Sequence, residues 1–455
     1  MNKKARYETK KYLHFGKRIG YDQKIDSYVN NPNKIKEHSF FPLIHYISKS
    51  EKYNDPDKLD EMGKLKSGRP VKSKKRNIMY ASHLDNFVYK HYGEKLNNHY
   101  NSWTHRNNID HCSTAYRYRE EEKGKSNIDF AAEVIDNISK SNECFIMIGD
   151  FEKFFETLDH TLLKRRVAEV LEVGGVSDDW YKVFKSVTRY SYYNKQLLNQ
   201  QLGTDKQIKK HKQLAYFANE KDFREFRKKH KVNRNSKKYG IPQGTALSAV
   251  LSNVYTTQFD IAVHNLIKKY NGIYRRYSDD FIVVIPKTDQ NAIDLDEFRR
   301  IEDNIIKYID KYKLKIQKEK TELYHFLNGK IININTEKKS TIDYLGFIFD
   351  GENVEMRGKS PYKFYRNAYK LIKRGKRVQA KKKLRKIPYR RQLYRLYTDM
   401  GVRREPYGNF ITYAMNSQEI FDRISPNTNN LMLHQIKNRR KNIEKKLGAR
   451  LNIRT

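Results

Sequence analysis

Two short apolar runs that end or begin at aspartates constrain this chain more than any other feature. Cys144-Phe-Ile-Met-Ile-Gly-Asp150 carries a carboxylate at its end, and Ile273 to Tyr277 is followed by Ser278-Asp279-Asp280 and then Phe281 to Ile285. Continuous apolar runs of about four to eight residues mark strands buried on both faces, and two β-rich runs around a polar turn make a hairpin. Adjacent side chains on a straight strand point to opposite faces, so only the turn lets both carboxylates of the pair work near one centre. With the Asp150 strand beside this hairpin, three hard oxygen ligands converge at one sheet edge. That is a Mg²⁺ site, where two ions would clamp an attacking hydroxyl and a leaving pyrophosphate. Taken alone, Asp-Asp is also an ordinary turn dipeptide.

The segments between these strands have their own signals. Phe40 to Ile44 is an apolar cluster, and the polar stretch from Ser48 to Asp60 reads as a loop that ends an N-terminal extension. A basic segment from Lys64 to Arg76 leads into Ile78-Met79-Tyr80 and a helical pattern from His83 to Leu96, a strand and helix with a positive lip. Helices are expected over Ile128–Ile138 and from Leu158 to Val173, the latter stopped by Gly174-Gly175. Tyr190 to Lys238 has no strong period and reads as an insertion or polar helical hairpin. Gly240-Ile241-Pro242-Gln243-Gly244 is a turn feeding a helix from Ala246 to about Tyr270. Its glycines let backbone approach a base pair closely, and Gln243 would face an incoming nucleotide; a simple turn before a helix explains the same residues. An amphipathic helix from Ile293 to Tyr312 precedes a strand pair ending near Tyr344–Phe347, and from Arg357 the pattern is helical and basic.

Charge narrows the partners. The 455 residues carry 93 Lys+Arg against 53 Asp+Glu, a formal net charge of +40. A charge this large is most simply tolerated by a protein that meets a polyanion, and nucleic acid leads. No apolar run reaches the roughly 18 residues of a membrane span and no secretory h-region follows the polar start, so a soluble, cytoplasmic protein without a membrane partner is expected. Between Leu371 and Lys386 nine of sixteen residues are Lys or Arg and none is acidic, a pattern that a solvated helix face also produces. Cys112 and Cys144 have no Cys/His ligand spacing, which leaves them as buried thiols.

In order and spacing, these segments resemble the bacterial type of reverse transcriptase, the group holding retron, group II intron and defence-associated enzymes. Asp150-Phe-Glu-Lys-Phe-Phe155-Glu156 with Asp159-His160 resembles the first catalytic motif, GIPQG with Ser248 and Asn253 the nucleotide-positioning motif, and Tyr277-Ser-Asp-Asp280 the Y-x-D-D hairpin. Leu314 to Thr321 resembles the segment whose lysine protonates pyrophosphate, and Tyr344-Leu345-Gly346-Phe347 the primer grip. The likeness covers about Lys64 to Asp350. It implies an α+β, right-hand polymerase with fingers, an antiparallel-sheet palm and a helical basic thumb. The divisions are 1–63 as extension, 64–140 as fingers, 141–350 as palm with an insertion at about 190–239, and 351–455 as thumb or RNA-binding region.

The resemblance also implies roles. Asp150, Phe151, Asp279 and Asp280 would bind metal, two Mg²⁺ ions with Mn²⁺ as an alternative, and Lys320 would be the general acid. Phe151, Phe155, Gln243, Lys75 and Arg76 would hold the nucleotide, with Phe155 as the gate against a 2′-hydroxyl. Arg117, Gly244, Tyr344, Leu345 and Gly346 would touch template or primer. Glu156 stands where many relatives have Asp, and Ser278 replaces the more usual Ala. No Val-Thr-Gly run of retron enzymes and no zinc-binding endonuclease tail of mobile introns is present, which turns the expectation toward stand-alone antiviral defence enzymes, abortive-infection types included. The expected activity is RNA-directed DNA synthesis on a noncoding RNA template, with dNTPs, an RNA–DNA duplex and an optional homo-oligomer as partners. Template-independent or protein-primed synthesis, a retron or intron enzyme, and a silent RNA-binding protein remain as alternatives.

Overall fold

The computed structural model describes residues 7–53, 71–119, 124–404 and 408–451. In chain order, β1 (Leu43–Tyr53) and β2 (Val71–Tyr80) form an antiparallel ribbon, followed by helices α1 (His83–Arg106) and α2 (Asn127–Ser139). Strand β3 (Glu143–Asp150) leads to α3 (His160–Leu171), and two strand fragments follow, β4 (Ser191–Asn194) and β5 (Asn233–Arg234). Helices α4 (Ala246–Tyr255) and α5 (Thr257–Lys268) precede the hairpin of β6 (Ile273–Tyr277) and β7 (Asp280–Pro286), then α6 (Leu295–Lys311). Strands β8 (Glu322–Leu327), β9 (Lys330–Asn333) and β10 (Lys338–Lys339) are followed by β11 (Ile342–Tyr344), β12 (Phe347–Phe349) and β13 (Asn353–Met356). The remainder is helical, chiefly α7 (Lys359–Lys381) and α8 (Phe410–Ile424), with a bridge strand β14 (Asn429–Asn430). The architecture is α+β.

The central sheet has the order β10-β9-β8-β3-β7-β6, and every pairing in it is antiparallel. Alternation along a strand explains why β3 is apolar throughout. Phe145 and Met147 enter one core with Phe281, Val283 and the residues of α1, α4, α5 and α6. Cys144 and Ile146 enter the opposite core with Ile282, Val284, α2, the β11–β13 sheet and the C-terminal helices. The two cores are the two faces of one sheet, so neither face of β3 is free to be polar. Gly149 is the exception in size: a Cβ there would lie 2.2 Å from the Phe281 ring, so the paired strands can close only over a residue without a side chain.

A second sheet, β11-β12-β13-β14, roofs the core behind α2, and α8 packs against α2. Helix α2 begins in a capping box in which the Ser126 hydroxyl and the Asp129 carboxylate satisfy each other's backbone amides. Helix α7 buries Phe364, Ala368 and Ile372 at helical spacing and turns Lys373, Arg374, Lys376 and Arg377 to solvent. Among the described residues no helix is long and apolar enough to cross a membrane.

The third sheet, β2-β1-β4-β5, differs from the sequence reading. The polar stretch from Ser48 is not a loop at first: β1 continues to Tyr53, opposite Val71. A paired ribbon satisfies its backbone by its ladder, so polar residues such as Ser48 and Lys49 can occupy it without an apolar run. Residues 54–70, which include the start of the basic segment, lie outside the described residues. The stretch 190–239 is not a polar hairpin. It supplies β4, parallel to β1, and short helices Lys195–Leu202, Asp205–Lys210 and Glu220–Lys229. These enclose a third apolar cluster of Tyr193, Leu198, Ile208, Phe217, Phe223 and Phe226 with Leu13, Phe15 and Ile44. The single helix expected from Ala246 to Tyr270 is two, divided at Thr256, whose hydroxyl donates to the carbonyls of Ser252 and Asn253. Helix α3 ends at Leu171, capped by Glu172, which adopts the left-handed conformation itself two positions before the expected glycine stop.

Candidate functional site

The register of the central sheet sets the site. Asp150 pairs directly with Asp280, because β3 and β7 run from Cys144–Pro286 to Asp150–Asp280 without a slip. Asp279 occupies the turn with Ser278, whose φ of 63° places it in the left-handed region. The Phe151 amide donates to the Asp279 carbonyl at 3.0 Å, and the Gln317 amide donates to the Asp150 carbonyl at 2.8 Å. The chain therefore leaves β3 clamped on both sides, and three carboxylates sit at one sheet edge.

Asp150 and Asp279 line a cleft of about 770 Å³. Its walls include Lys74, Lys75 and Arg76 from β2, residues 150–156 beyond β3, Gln243 and Lys320. Lys320 Nζ stands 2.6 Å from Asp150 Oδ2. Asp280 sits at the adjoining position; crowding by protein that costs its carboxyl solvation, followed by the charges of Asp279 and Asp150, pushes it up to about 7. The Lys74 ammonium is lowered from its usual value by partial burial and by Arg76 and Lys320, against the pull of Asp150 and Asp279. The Phe151 side chain is buried against Phe154, Phe259 and Phe281, so its backbone is what it can offer to the cleft. Phe155 is half-buried at the wall.

The GIPQG turn is threaded between two backbones. Ile241 N–H donates to the Phe155 carbonyl and Gly240 N–H to the Leu158 carbonyl, both at 2.8 Å, while Met79 N–H donates to the Gln243 carbonyl at 2.8 Å. Gly244 has φ 121°, and a Cβ there would lie 2.5 Å from the Met79 carbonyl oxygen, which any side chain would displace. The Thr245 hydroxyl then caps α4 by accepting from the Ser248 amide. Gln243 is thus held in the cleft between β2 and Phe155.

Behind the Asp279 turn lies a network that the sequence reading missed. Arg276 is fully buried; Nε and Nη2 donate to the two carboxylate oxygens of Asp260 at 2.8 and 2.7 Å. Its Nη1 donates to the Ser278 carbonyl at 3.0 Å and to Asn253 Oδ1 at 3.2 Å, and Asn253 Nδ2 donates to the Ala115 carbonyl. One guanidinium therefore ties the Asp279 turn to α4, α5 and the 113–115 loop. The signal was available: Arg276 shares the strand parity of Tyr274, and a charge at a core position requires a buried partner.

Other candidates lie elsewhere. The Arg117 guanidinium does not reach the cleft; its side chain is 2% exposed and binds Asp110, Asn101, Thr104 and the Ser113 carbonyl. Its neighbour Tyr116, at φ 57° and half-exposed, lines the cleft instead. Tyr344 is buried in the second core, and Leu345-Gly346 form the β11–β12 turn, their carbonyls accepting from Asn127 Nδ2 and the Arg357 amide. Cys112 and Cys144 are buried and free. The fold does bring Cys112 to within 4.8 Å of ligand atoms of His111 and His264, a cluster that linear spacing concealed. Arg275 and Arg119 beside it oppose a cation there.

A sequence profile described as reverse transcriptase (RNA-dependent DNA polymerase) matches residues 64–349. No curated protein matches the chain in sequence. Among solved structures, apo telomerase from Candida tropicalis is similar at 11% identity, over 94% of this chain and 64% of that one, with a TM-score of 0.43. A form truncated from its C-terminal domain aligns over 73% of this chain and 59% of that one, also at 11% identity, with a TM-score of 0.40. Telomerase from Candida albicans, in complex with a TWJ fragment of telomeric RNA, gives 11% identity, 93% and 65% coverage and a TM-score of 0.42. The chain thus spans less than two thirds of the length of these telomerase chains.

Proposed function

The chain belongs to the reverse transcriptase (RNA-dependent DNA polymerase) family, and from that premise we propose that it copies RNA into DNA by adding dNTPs to a 3′-hydroxyl. The single observation that carries this reading is the in-register Asp150–Asp280 pair with Asp279 in the adjoining turn, Asp150 and Asp279 lining a cleft walled by cations. Reverse transcriptase domains typically use divalent metal ions, and the donor set suits Mg²⁺ or Mn²⁺: the oxygens are hard, and the crowding that raises Asp280 is what a divalent cation relieves. Asp150, Asp279, Asp280 and the Phe151 backbone would hold the metal. When bound, it supplies positive charge for the attacking hydroxyl and the leaving pyrophosphate.

The other roles follow from position. Lys75 and Arg76 bind the triphosphate, with Lys74 beside them, and Gln243 orients the nucleotide over the Phe155 ring, whose bulk excludes a 2′-hydroxyl. Lys320 donates a proton to the pyrophosphate oxygen as the α-phosphate bond breaks. Gly244 lets the template strand approach the backbone, and the cationic face of α7 tracks duplex phosphates, so RNA affinity falls steeply with salt. We assign the Tyr344–Gly346 turn to the primer side.

The finer reading is a role in antiviral defence with a dedicated noncoding RNA as template. It rests on the motif resemblance and on an apolar annex, a buried cluster that packs 190–239 against the N-terminal segment beyond what nucleotide addition requires. The test is the double change Asp279→Ala and Asp280→Ala. It is expected to leave folding and RNA binding intact, to abolish Mg²⁺-dependent dNTP incorporation and to remove protection against phage in a plaque assay. Retained incorporation refutes the polymerase site, and retained protection without incorporation refutes its part in defence.

A further inference from the structure

Two further hollows adjoin the cleft on the far side of the GIPQG turn, of about 310 and 530 Å³. The smaller is walled by Tyr190, Tyr192, Arg234, Lys237 and Tyr239 together with Asn77, Glu156 and Gln243. The larger is walled by Lys153, Lys237, Lys313, Lys315 and Tyr239 with Glu156 and Asp159. All three cavities meet: Asn77 and Gln243 line the cleft and the smaller hollow, Lys153 the cleft and the larger, and Glu156 all three.

The chemistry of the two hollows is complementary. The smaller offers aromatic faces: Tyr190 and Tyr192 have ring centroids 6.1 Å apart, and His45 stands edge-on to Tyr192 at 5.6 Å. The larger offers positive charge, with Lys237 Nζ 5.3 Å from the Tyr239 ring centroid where the two hollows join. Two carboxylates oppose it. Asp159 holds Lys313 Nζ at 2.9 Å, and Glu156 Oε1 accepts from Asn77 Nδ2 at 3.1 Å. The cations Lys153, Arg234, Lys237 and Lys315 are exposed, and Tyr239 is 44% exposed. Aromatic faces stack bases, whereas clustered cations in a recess attract polyphosphate. Volumes of this size fall in the range of small-ligand pockets, about 300–1,000 Å³, which favours one nucleotide over a strand.

We propose that these hollows are a staging site for a nucleoside triphosphate, the base against Tyr190 and Tyr192 and the phosphates toward Lys237 and Lys315. The nucleotide passes to the cleft through the gap shared by Asn77, Glu156 and Gln243. This inference rests on the polymerase reading of the cleft.

The experiment measures binding of fluorescent mant-dATP to the full chain in EDTA without template, and then KM and kcat for dATP with Mg²⁺ and primed RNA. The paired change Arg234→Glu and Lys237→Glu is expected to weaken EDTA binding about tenfold and to raise KM by a similar factor with kcat unchanged. Lys75→Ala with Arg76→Ala is expected to leave EDTA binding in place. Arg234→Gln with Lys237→Gln repeats the test with a milder change, and thermal unfolding checks that each variant is folded. EDTA binding that ignores the charge reversal, or that disappears with Lys75 and Arg76, overturns the staging site. So does a charge reversal that weakens RNA in a gel shift and spares mant-dATP, since the hollows would then hold a strand. A wild-type chain that binds mant-dATP through Arg234 and Lys237 but copies no RNA removes the polymerase reading and leaves the nucleotide site standing.

Discussion

The sheet that carries Asp150 and the ribbon that overhangs it are both antiparallel, yet they are held in opposite ways. In the central sheet, β3 and β7 bury both faces, and the one charge that neighbouring β6 sends into the core, Arg276, is held there by Asp260. In the β1–β2 ribbon, backbone pairing over ten residue pairs holds strands in which nine of the twenty paired residues are Lys, Ser or Asn. Exposed charges cost such a ribbon little. The difference teaches that the carboxylate edge is positioned by an unforgiving core, while the cationic wall opposite is a surface whose side chains can change without disturbing that core.

Substitutions can break that contrast. The largest effect is expected from Asp260→Ala, which leaves the Arg276 guanidinium buried and unpaired; the loss should be about 3–5 kcal/mol in urea unfolding. A loss below about 1 kcal/mol shows that the core tolerates an unpaired guanidinium. Next is Gly149→Ala, which drives a methyl into Phe281 and should cost about 1–3 kcal/mol. Adding Phe281→Leu should recover part of it, and no recovery assigns the cost to another contact.

The third effect sharpens the contrast by pH. His14 in the annex is fully buried, and loss of solvation holds its imidazole down to about 3. The unfolded chain binds this proton near pH 6.5 and the folded chain only near 3, so its contribution is complete above 6.5 and lost as pH falls through that window. The slope is at most about 1.4 kcal/mol per pH unit. His14→Phe should flatten the fall in stability between pH 6.5 and 4.5, and an unchanged slope would assign acid sensitivity to other groups. Smallest is Lys49→Ala on the ribbon, expected within about 0.5 kcal/mol of wild type. A loss as large as that of Asp260→Ala erases the contrast.

How much the sequence disclosed follows the same division. Strands β3 and β7 were legible because burial on both faces writes a continuous apolar run with a carboxylate at its end, and β6 because its β-rich run meets β7 across a polar turn. GIPQG was legible because glycine and proline serve backbone conformation directly. The extension of β1 to Tyr53 was not, since pairing partners leave no periodic mark on an exposed strand. The annex was hidden because its aromatics, Phe217, Phe223 and Phe226, find partners near residue 15, about 200 positions away. Arg117 and Tyr116 exchanged places because a left-handed residue turns the loop, so the tyrosine faces the cleft and the arginine the core. Arg276 was legible only as a charge on a strand; that Asp260 meets it required the packing of α5.

The most direct test of the account supplies wild-type protein with a synthetic RNA of unique sequence, an annealed DNA primer, all four dNTPs and Mg²⁺, and sequences the DNA product. The account predicts extension complementary to the RNA to its 5′ end, and none from the Asp279→Ala, Asp280→Ala protein. Product whose sequence does not follow the RNA, or copying that survives loss of both carboxylates, would contradict it.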